Sequence, residues 1–380
     1  MASASSGSQL ASFPKNQCLF LGLKAVGERI GYGFMSNIRP NFQKIFQQAE
    51  KKRIKSRFNE AISLYVKAKK LCSKDSAAVI DCLFALADCY RMVGGYENAE
   101  KNYKEAYAFA IKMGIQDLAA DALVGLGLTL RATGRHKEAL KIFAKSQRMY
   151  EISKDKAGLA FNLWAKGGAY RIKGDLKKAI EIFKEALKLF TVLKDKSGIG
   201  YCYCGLGGAS RILGRIDDSY RYYSKANEIF RDLKDTFGIA YSYCGLANAT
   251  RMKGDFKGSL KYFKKAKLYY KKIGDKVSFA YTLWGEGTAF KMMKNLKDAK
   301  DDFWAAQKLF KETKDERGIA YCELSLGEIE LLEGKSAQAS RLFRVALKRT
   351  RKFFFGVELV YAKRFLKAIK TGKGFPFNLP

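Results

Sequence analysis

The residues best suited to chemistry in this 380-residue chain are basic ones that recur every 40 residues. Successive steps of the period are occupied by Arg91, Arg131, Arg171, Arg211, Arg251 and Lys291. Planar guanidinium groups pair with carboxylates or phosphates through two parallel hydrogen bonds. A regular row of them predicts a surface that binds an extended acidic ligand.

Aromatic and small side chains recur in phase with this basic row. Ten residues before each basic residue stand Asp81, Asp121, Phe161, Tyr201, Tyr241, Tyr281 and, in the last repeat, Tyr321. Trp164 and Trp284 lie three residues further on, and little bulk follows at Gly168, Gly208 and Asn248. These positions share one face of a helix, so we expect tyrosine rings to add apolar contact and the small residues to let a ligand backbone approach.

A plainer interpretation of the same rows remains open. Arginine near the end of a helix suits the helix dipole and the last carbonyl groups, and tyrosine is a good residue for closing a hairpin. The two interpretations differ in whether the guanidinium groups face a groove or pair with neighbouring helices.

The elements that must position these side chains are helical hairpins. Residues 160–172 carry apolar or small residues at helical spacing, and a second such pattern runs from Leu176 to Leu193. Between them, Gly174 suits the left-handed position after a helix and Asp175 suits the cap of the next. Small residues where helices approach closely, such as Gly167, complete the pattern. A fixed 40-residue period indicates a stacked array rather than separate domains.

The spacing of small and large residues resembles the tetratricopeptide repeat. Gly or Ala occupies positions 87, 127, 167, 207, 247, 287 and 327, and each second helix carries a motif such as Ala179-x3-Phe183-x2-Ala186. The 40-residue unit is similar to the longer repeats of kinesin light chains and spindle-orientation adaptors. The resemblance implies an all-α, right-handed α-solenoid of about eight repeats, whose first helices place the basic and aromatic rows in a concave groove. It also implies a protein-binding role.

The chain divides into three parts. We expect residues 1–40 to form a poorly ordered arm, residues 41–350 to form the superhelix, and residues 351–380 to form a capping helix and basic tail. Lys166 and Glu286 depart from the pattern, because leucine stands at most equivalent positions. The hairpins that contain them are expected to pack differently.

The net charge of the chain predicts an acidic partner but does not identify it. The formal net charge is +34, a field that attracts acidic proteins, nucleic acid or anionic membrane. The residues from Arg341 onward include eleven Lys and Arg but only one acid, Glu358. Four phenylalanines lie among the basic residues: Phe353, Phe354, Phe355 and Phe365. Such a segment suits RNA or an anionic surface, or is simply an end cap with a solvated basic face.

Catalysis, metals and cofactors are not expected. The one histidine, His136, stands where other repeats carry packing residues, and no metal or nucleotide motif occurs. Cysteines repeat at equivalent positions, as at Cys82, Cys202 and Cys322, which indicates packing and a reducing compartment. We therefore predict a cytoplasmic protein, with organelle targeting by residues 1–40 as the alternative.

The hypothesis drawn from the sequence is a non-enzymatic adaptor that holds an acidic segment of a protein partner in its groove. One alternative is binding of nucleic acid or an anionic membrane surface. Another is a regulatory sensor of a small ligand or peptide.

Overall fold

A computed structural model describes residues 40–55, 57–72, 76–371 and 375–380. Most described residues from Pro40 to Thr371 are helical, and residues 1–39 of the expected N-terminal arm lie outside the described residues. The seventeen helices of this part of the chain are α1 (Pro40–Ile54), α2 (Phe58–Leu71), α3 (Ser76–Met92), α4 (Tyr96–Lys112), α5 (Gln116–Ala132), α6 (His136–Ser153), α7 (Lys156–Lys173), α8 (Leu176–Val192), α9 (Lys196–Ile212), α10 (Ile216–Asp232), α11 (Thr236–Met252), α12 (Phe256–Ile273), α13 (Lys276–Met292), α14 (Leu296–Glu312), α15 (Glu316–Leu332), α16 (Ser336–Lys352) and α17 (Gly356–Thr371).

Two kinds of turn join the helices. Within hairpins a glycine takes the left-handed conformation, as at Gly174 with φ 94°, and Asp175 caps the helix that follows. Between hairpins a lysine often takes the left-handed position, as at Lys194 with φ 53°. Asp195 then accepts a hydrogen bond of 3.0 Å from the Gly198 amide. Both turns satisfy backbone groups that the helix ends would leave unpaired.

The core repeats with the hairpins. Phe183 fills the space between three helices, and a Cβ at Gly167 or Gly205 would lie 2.9 Å or 2.6 Å from its ring. Ala179 and Ala186 are fully buried on either side of it. The small residues are therefore required by close helix approach, and the α-solenoid of eight hairpins follows from their recurrence.

The solenoid turns far enough to touch itself. A Cβ at Gly94 would lie 2.2 Å from the carbonyl oxygen of Thr313, and one at Gly134 would lie 2.3 Å from that of Phe353. Both contacts join chain segments about five and a half repeats apart. The turns of the second and third hairpins thus meet the ends of α14 and α16, and the groove becomes enclosed.

Helix α17 covers the last hairpin. Phe365 is fully buried, and its ring centroid lies 4.8 Å from that of Phe343 in α16. Phe355 is covered as well, with 1% of its surface exposed, whereas Phe354 is 69% exposed. The aromatic residues expected to stack with nucleic acid are thus mostly used in the end cap.

The two unusual hairpins hold their polar residues in local pairs. Lys166 donates a hydrogen bond of 2.9 Å to the Gln147 side chain. Glu286 is buried and forms an ion pair with Lys267. None of the described helices is both long enough and apolar enough to cross a membrane.

Candidate functional site

An arginine-lined cavity occupies the middle of the closed superhelix. Its volume is about 320 Å³, and five hairpins contribute guanidinium groups to its wall: Arg91, Arg131, Arg171, Arg211 and Arg317. The first four end the first helices of the second to fifth hairpins, where the 40-residue period places them. The structure therefore brings four members of the predicted basic row together on one surface.

Two of these arginines have no acceptor for their side chains. The Nε and Nη1 atoms of Arg211 are buried and make no hydrogen bond within the described part of the chain. Arg171 has no side-chain partner among the described residues either, and its Nη1 lies near Gly208. A buried donor without an acceptor is costly, so the Arg211 guanidinium is suited to receive one from a ligand, and the partly exposed Arg171 guanidinium is free to do the same.

The other two members of this set pair with the protein. Arg91 forms an ion pair of 3.4 Å with Asp88, one turn earlier on its own helix. Arg131 donates a hydrogen bond of 3.3 Å to the carbonyl oxygen of Ala165 in the next hairpin. The groove-facing and helix-pairing interpretations of the basic row thus each describe part of it.

The electrostatics of the cavity are dominated by positive charge. Burial, together with the nearby charges of Arg171 and Arg91, lowers the pKa of the Arg131 guanidinium to about 9. Among the described residues that line the cavity, only Asp275 has an acidic side chain, and its carboxylate accepts a hydrogen bond of 3.0 Å from the Ser278 amide at the start of α13. The cavity therefore holds several cations with little carboxylate to balance them.

The small residues beside the row accommodate arginines of the protein itself. A Cβ at Gly168 would lie 2.3 Å from Nη1 of Arg131, and one at Gly208 would lie 3.5 Å from Nη1 of Arg171. Asn248 accepts a hydrogen bond of 3.1 Å from Arg251. The side chains of Arg131, Arg171 and Arg251 thus occupy the space beside these small residues that is expected for a ligand backbone.

Tyr241, Tyr281, Trp284, Tyr321 and Asn248 line the same cavity. Burial raises the pKa of the Tyr241 hydroxyl, and the nearby charges of Arg171 and Arg211 oppose that rise. Tyr281 donates a hydrogen bond of 3.2 Å to Asp315, the residue that caps α15. Tyr241 is thus the tyrosine of the row placed beside the two unpaired arginines.

Phe161, Trp164 and Tyr201 lie outside the cavity. Tyr201 is 3% exposed and donates a hydrogen bond of 3.1 Å to Asp235, the cap of α11. The Trp164 indole donates to the Tyr201 carbonyl oxygen over 3.3 Å, and its ring stacks on Phe161. These three predicted groove residues join neighbouring hairpins, so the structure does not bring them to the arginine cluster.

Arg251 and Lys291 are covered by the chain's own residues 375–380. Arg251 is completely buried and Lys291 is 1% exposed. Arg251 donates a hydrogen bond of 2.7 Å to the Leu379 carbonyl oxygen, and Lys291 donates one of the same length to that of Phe377. The basic row is therefore divided into an open part and a covered part.

Three further residues of the cavity are not predicted from the sequence. Tyr223 and Tyr270 come from second helices, whose large residues are expected in the core alone. The available signal is the hydroxyl group of each: most repeats carry phenylalanine at the position of Tyr223, and three carry it at the position of Tyr270. Arg317 reaches the cavity from the first turn of α15 and pairs with Glu358 over 2.7 Å. Arg317 lines the cavity because the superhelix closes, and no local sequence pattern indicates that closure.

His136 behaves as a core residue. It is 3% exposed, and its ring lies 6.2 Å from that of Phe355. Burial, with the nearby charges of Arg317 and Arg131, lowers its pKa to about 4. No cluster of His, Cys, Asp or Glu among the described residues has the arrangement of a metal site.

Comparison with known proteins adds a family and a fold. Residues 47–112 and 118–191 match a family model described as the tetratricopeptide repeat. No curated protein matches the chain at a significant level.

Solved structures share the architecture at low sequence identity. A Rap protein complexed with competence and sporulation factor is 14% identical with a TM-score of 0.59, covering 88% of this chain and 99% of that one. The Cut9–Hcn1 hetero-tetramer of the APC/C is 17% identical with a TM-score of 0.57, covering 90% of this chain and 57% of that one. The STAND protein PH0952 of Pyrococcus horikoshii, which has a tetratricopeptide repeat sensor, is 17% identical with a TM-score of 0.51, covering 85% and 50%. These likenesses establish the fold.

Proposed function

We propose that this chain, of which residues 47–112 and 118–191 match the tetratricopeptide repeat model, is a non-enzymatic scaffold whose central cavity receives an acidic segment of a partner protein. The observation that carries the proposal is the pair of cavity-lining guanidinium groups of Arg171 and Arg211, neither of which has an acceptor among the described residues, beside the Tyr241 hydroxyl; the Nε and Nη1 atoms of Arg211 are also buried. A carboxylate placed there gains charge-assisted hydrogen bonds in a site shielded from water. Tyr241 and Trp284 supply apolar surface for the rest of the segment.

The known complexes of this fold support binding as the activity. A Rap protein has been crystallised with competence and sporulation factor, and Cut9 with Hcn1. Neither relationship identifies the partner of this chain. The partner is therefore proposed by its chemistry, an acidic segment, and the buried thiols such as Cys202 support a reducing, cytoplasmic location.

A small anionic ligand is the second candidate. The closed superhelix leaves a volume of about 320 Å³, which accommodates only a few residues of a partner. A sensor of a short acidic peptide or of a small polyanion would use the same arginines. The two candidates differ in whether binding affinity grows with the length of the acidic segment.

The decisive experiment measures fluorescence anisotropy of a labelled hexaglutamate peptide. Each charge-assisted hydrogen bond contributes about 1.5–3 kcal/mol, so Arg171→Glu with Arg211→Glu should weaken binding by a factor of roughly 100 or more. The circular-dichroism melt should change little, since the lost charges make no contact that holds the fold.

The matched control is Arg215→Glu with Arg231→Glu, which changes the net charge equally at two exposed positions. We expect that control to weaken binding only slightly. Equal losses in both double variants, together with tighter binding of oligouridine or anionic vesicles than of hexaglutamate, would replace this proposal with a diffuse polyanion surface.

A further inference from the structure

Residues 375–380 lie in the part of the groove that the sixth to eighth hairpins form. Main-chain groups of this segment form hydrogen bonds with residues that line the groove. Lys291 and Arg251 donate to the carbonyl oxygens of Phe377 and Leu379, each over 2.7 Å. The Phe377 amide donates to Glu328, and the Asn378 side chain both accepts from the Arg251 guanidinium and donates to the Arg251 carbonyl oxygen. This set of contacts recognises an extended backbone.

The side chains of the segment are recognised as well. Phe377 is 6% exposed and meets the Phe365 ring edge-on, with centroids 4.9 Å apart. The Arg364 guanidinium lies over the Phe377 ring, 4.2 Å from its centroid. Leu379 is 3% exposed and belongs to the same apolar cluster as Trp284. Two apolar positions flanking an asparagine thus fit this part of the groove.

The segment points toward the arginine cavity. It runs from Glu328 in α15 back to Arg251 in α11, and Pro380 lines the cavity wall together with Arg211. A residue at the place of Pro380 is therefore the first that can meet the unpaired guanidinium groups. Backbone recognition on one side and charge recognition on the other form one continuous track.

Burial explains why an occupant is needed on this side. Arg251 and Lys291 are both fully enclosed, and Glu328 is the carboxylate that pairs with Lys291. Arg251 has no ion-pair partner within the described residues, so the carbonyl oxygen of Leu379 and the amide oxygens of Asn378 and Asn248 solvate its charge. Unpaired buried charges are strongly unfavourable, so the polar atoms of the segment offset the cost of covering Arg251.

We propose that the sixth to eighth hairpins form an extended-peptide site, which residues 375–380 occupy in cis and which a partner carrying Phe-Asn-Leu followed by acidic residues occupies in trans. The acidic part of this ligand rests on the function proposed above, whereas the Phe-Asn-Leu part stands on the contacts of the segment itself. Partner binding then requires the chain's own segment to leave, and the segment acts as a built-in competitor.

The experiment uses three labelled peptides on the full chain. They are Gly-Phe-Asn-Leu-Glu-Glu-Glu, the same peptide ending in three serines, and a version with alanine in place of Phe and Leu. Weakening the cis segment by Phe377→Ala with Leu379→Ala should tighten binding of the first peptide at least about tenfold, because a larger fraction of the protein has a vacant site. The control Phe354→Ala with Val360→Ala alters two exposed apolar residues, one just before α17 and one within it, and should leave affinity unchanged.

A second variant guards against loss of the end cap. Asn378→Ala removes the polar contacts with Arg251 and retains both apolar side chains, so it should tighten peptide binding with an unaltered melt. No gain in affinity in either variant, with the melt intact, overturns the proposal. Failure of hexaglutamate to bind while the serine-ended peptide still binds would refute the proposed acidic function alone.

Discussion

A single residue type at one repeat position has three different fates in this molecule. Arg91 pairs with an acid of its own helix, Arg171 and Arg211 line the cavity without an acceptor in the described part of the chain, and Arg251 is covered by residues 375–380. The 40-residue period predicts the common position of these residues. It carries no information about the partner, which depends on single neighbours such as Asp88.

Asp302 gives a prediction at the same scale. Burial, with the nearby charge of Glu286, raises its pKa from 3.8 to about 7, while Lys267 opposes the shift and Asp298 and Asp301 add to it. Its Oδ2 atom is buried without a hydrogen-bond partner among the described residues. A carboxyl group whose pKa is raised by folding stabilises the protein below pH 3.8, and this contribution is lost as the pH rises through 7.

Replacing the carboxyl group should therefore remove part of the pH dependence. We expect the difference in the free energy of unfolding between Asp302→Asn and the natural protein to increase in favour of the variant from pH 5 to pH 8. Urea unfolding at both pH values measures this difference. The exposed neighbour Asp301→Asn should show no such trend. A difference between Asp302→Asn and the natural protein that is the same at both pH values would contradict this account.

The helical hairpin is the element that the sequence predicts best. The turn at Gly174 and Asp175 has the expected left-handed glycine and capping carboxylate, and α17 lies within residues 351–380, where a capping helix is expected. Both features depend on local chemistry, so they can be recognised without the rest of the molecule. The burial of Tyr201 could not be recognised in this way, because its partner Asp235 belongs to the next hairpin.

Helix packing at the alanine positions can be tested by a matched pair of substitutions. Ala226 in α10 is fully buried in a cluster with Tyr223 and Phe230, so Ala226→Leu should overpack the hairpin and cost about 1–3 kcal/mol. Ala305→Leu makes the same change at an exposed position of α14 and should cost less than about 0.5 kcal/mol. Urea unfolding of both variants measures the difference, and equal costs would refute the packing assignment.

At the scale of the whole molecule, closure of the superhelix creates the site. The open groove implied by the repeat pattern becomes a cavity because Gly94 meets Thr313 and Gly134 meets Phe353. These contacts result from small rotations summed over many hairpins, so no single repeat predicts them. The place of Arg317 in the cavity and the position of residues 375–380 could not be derived from the sequence for the same reason.

The closure contact is tested by two substitutions with the same backbone strain. Gly94 and Gly214 have φ of 79° and 78°, but only a Cβ at Gly94 would meet another segment, whereas Gly214 faces open space. Gly214→Ala should cost about 1–2 kcal/mol for its left-handed conformation alone. Gly94→Ala should cost at least about 1 kcal/mol more and increase the radius of gyration measured by small-angle X-ray scattering. Equal costs and equal radii would show that the contact does not hold the superhelix closed.

The central claim is that a partner's acidic side chains enter the cavity and bind the unpaired arginines. A crystal structure of the full chain with hexaglutamate tests it most directly. The account predicts glutamate carboxylates within hydrogen-bond distance of the Arg171 and Arg211 guanidinium groups, with the Tyr241 hydroxyl beside them. Peptide bound instead to exposed lysines of second helices such as α8, with the cavity unaltered, would contradict it.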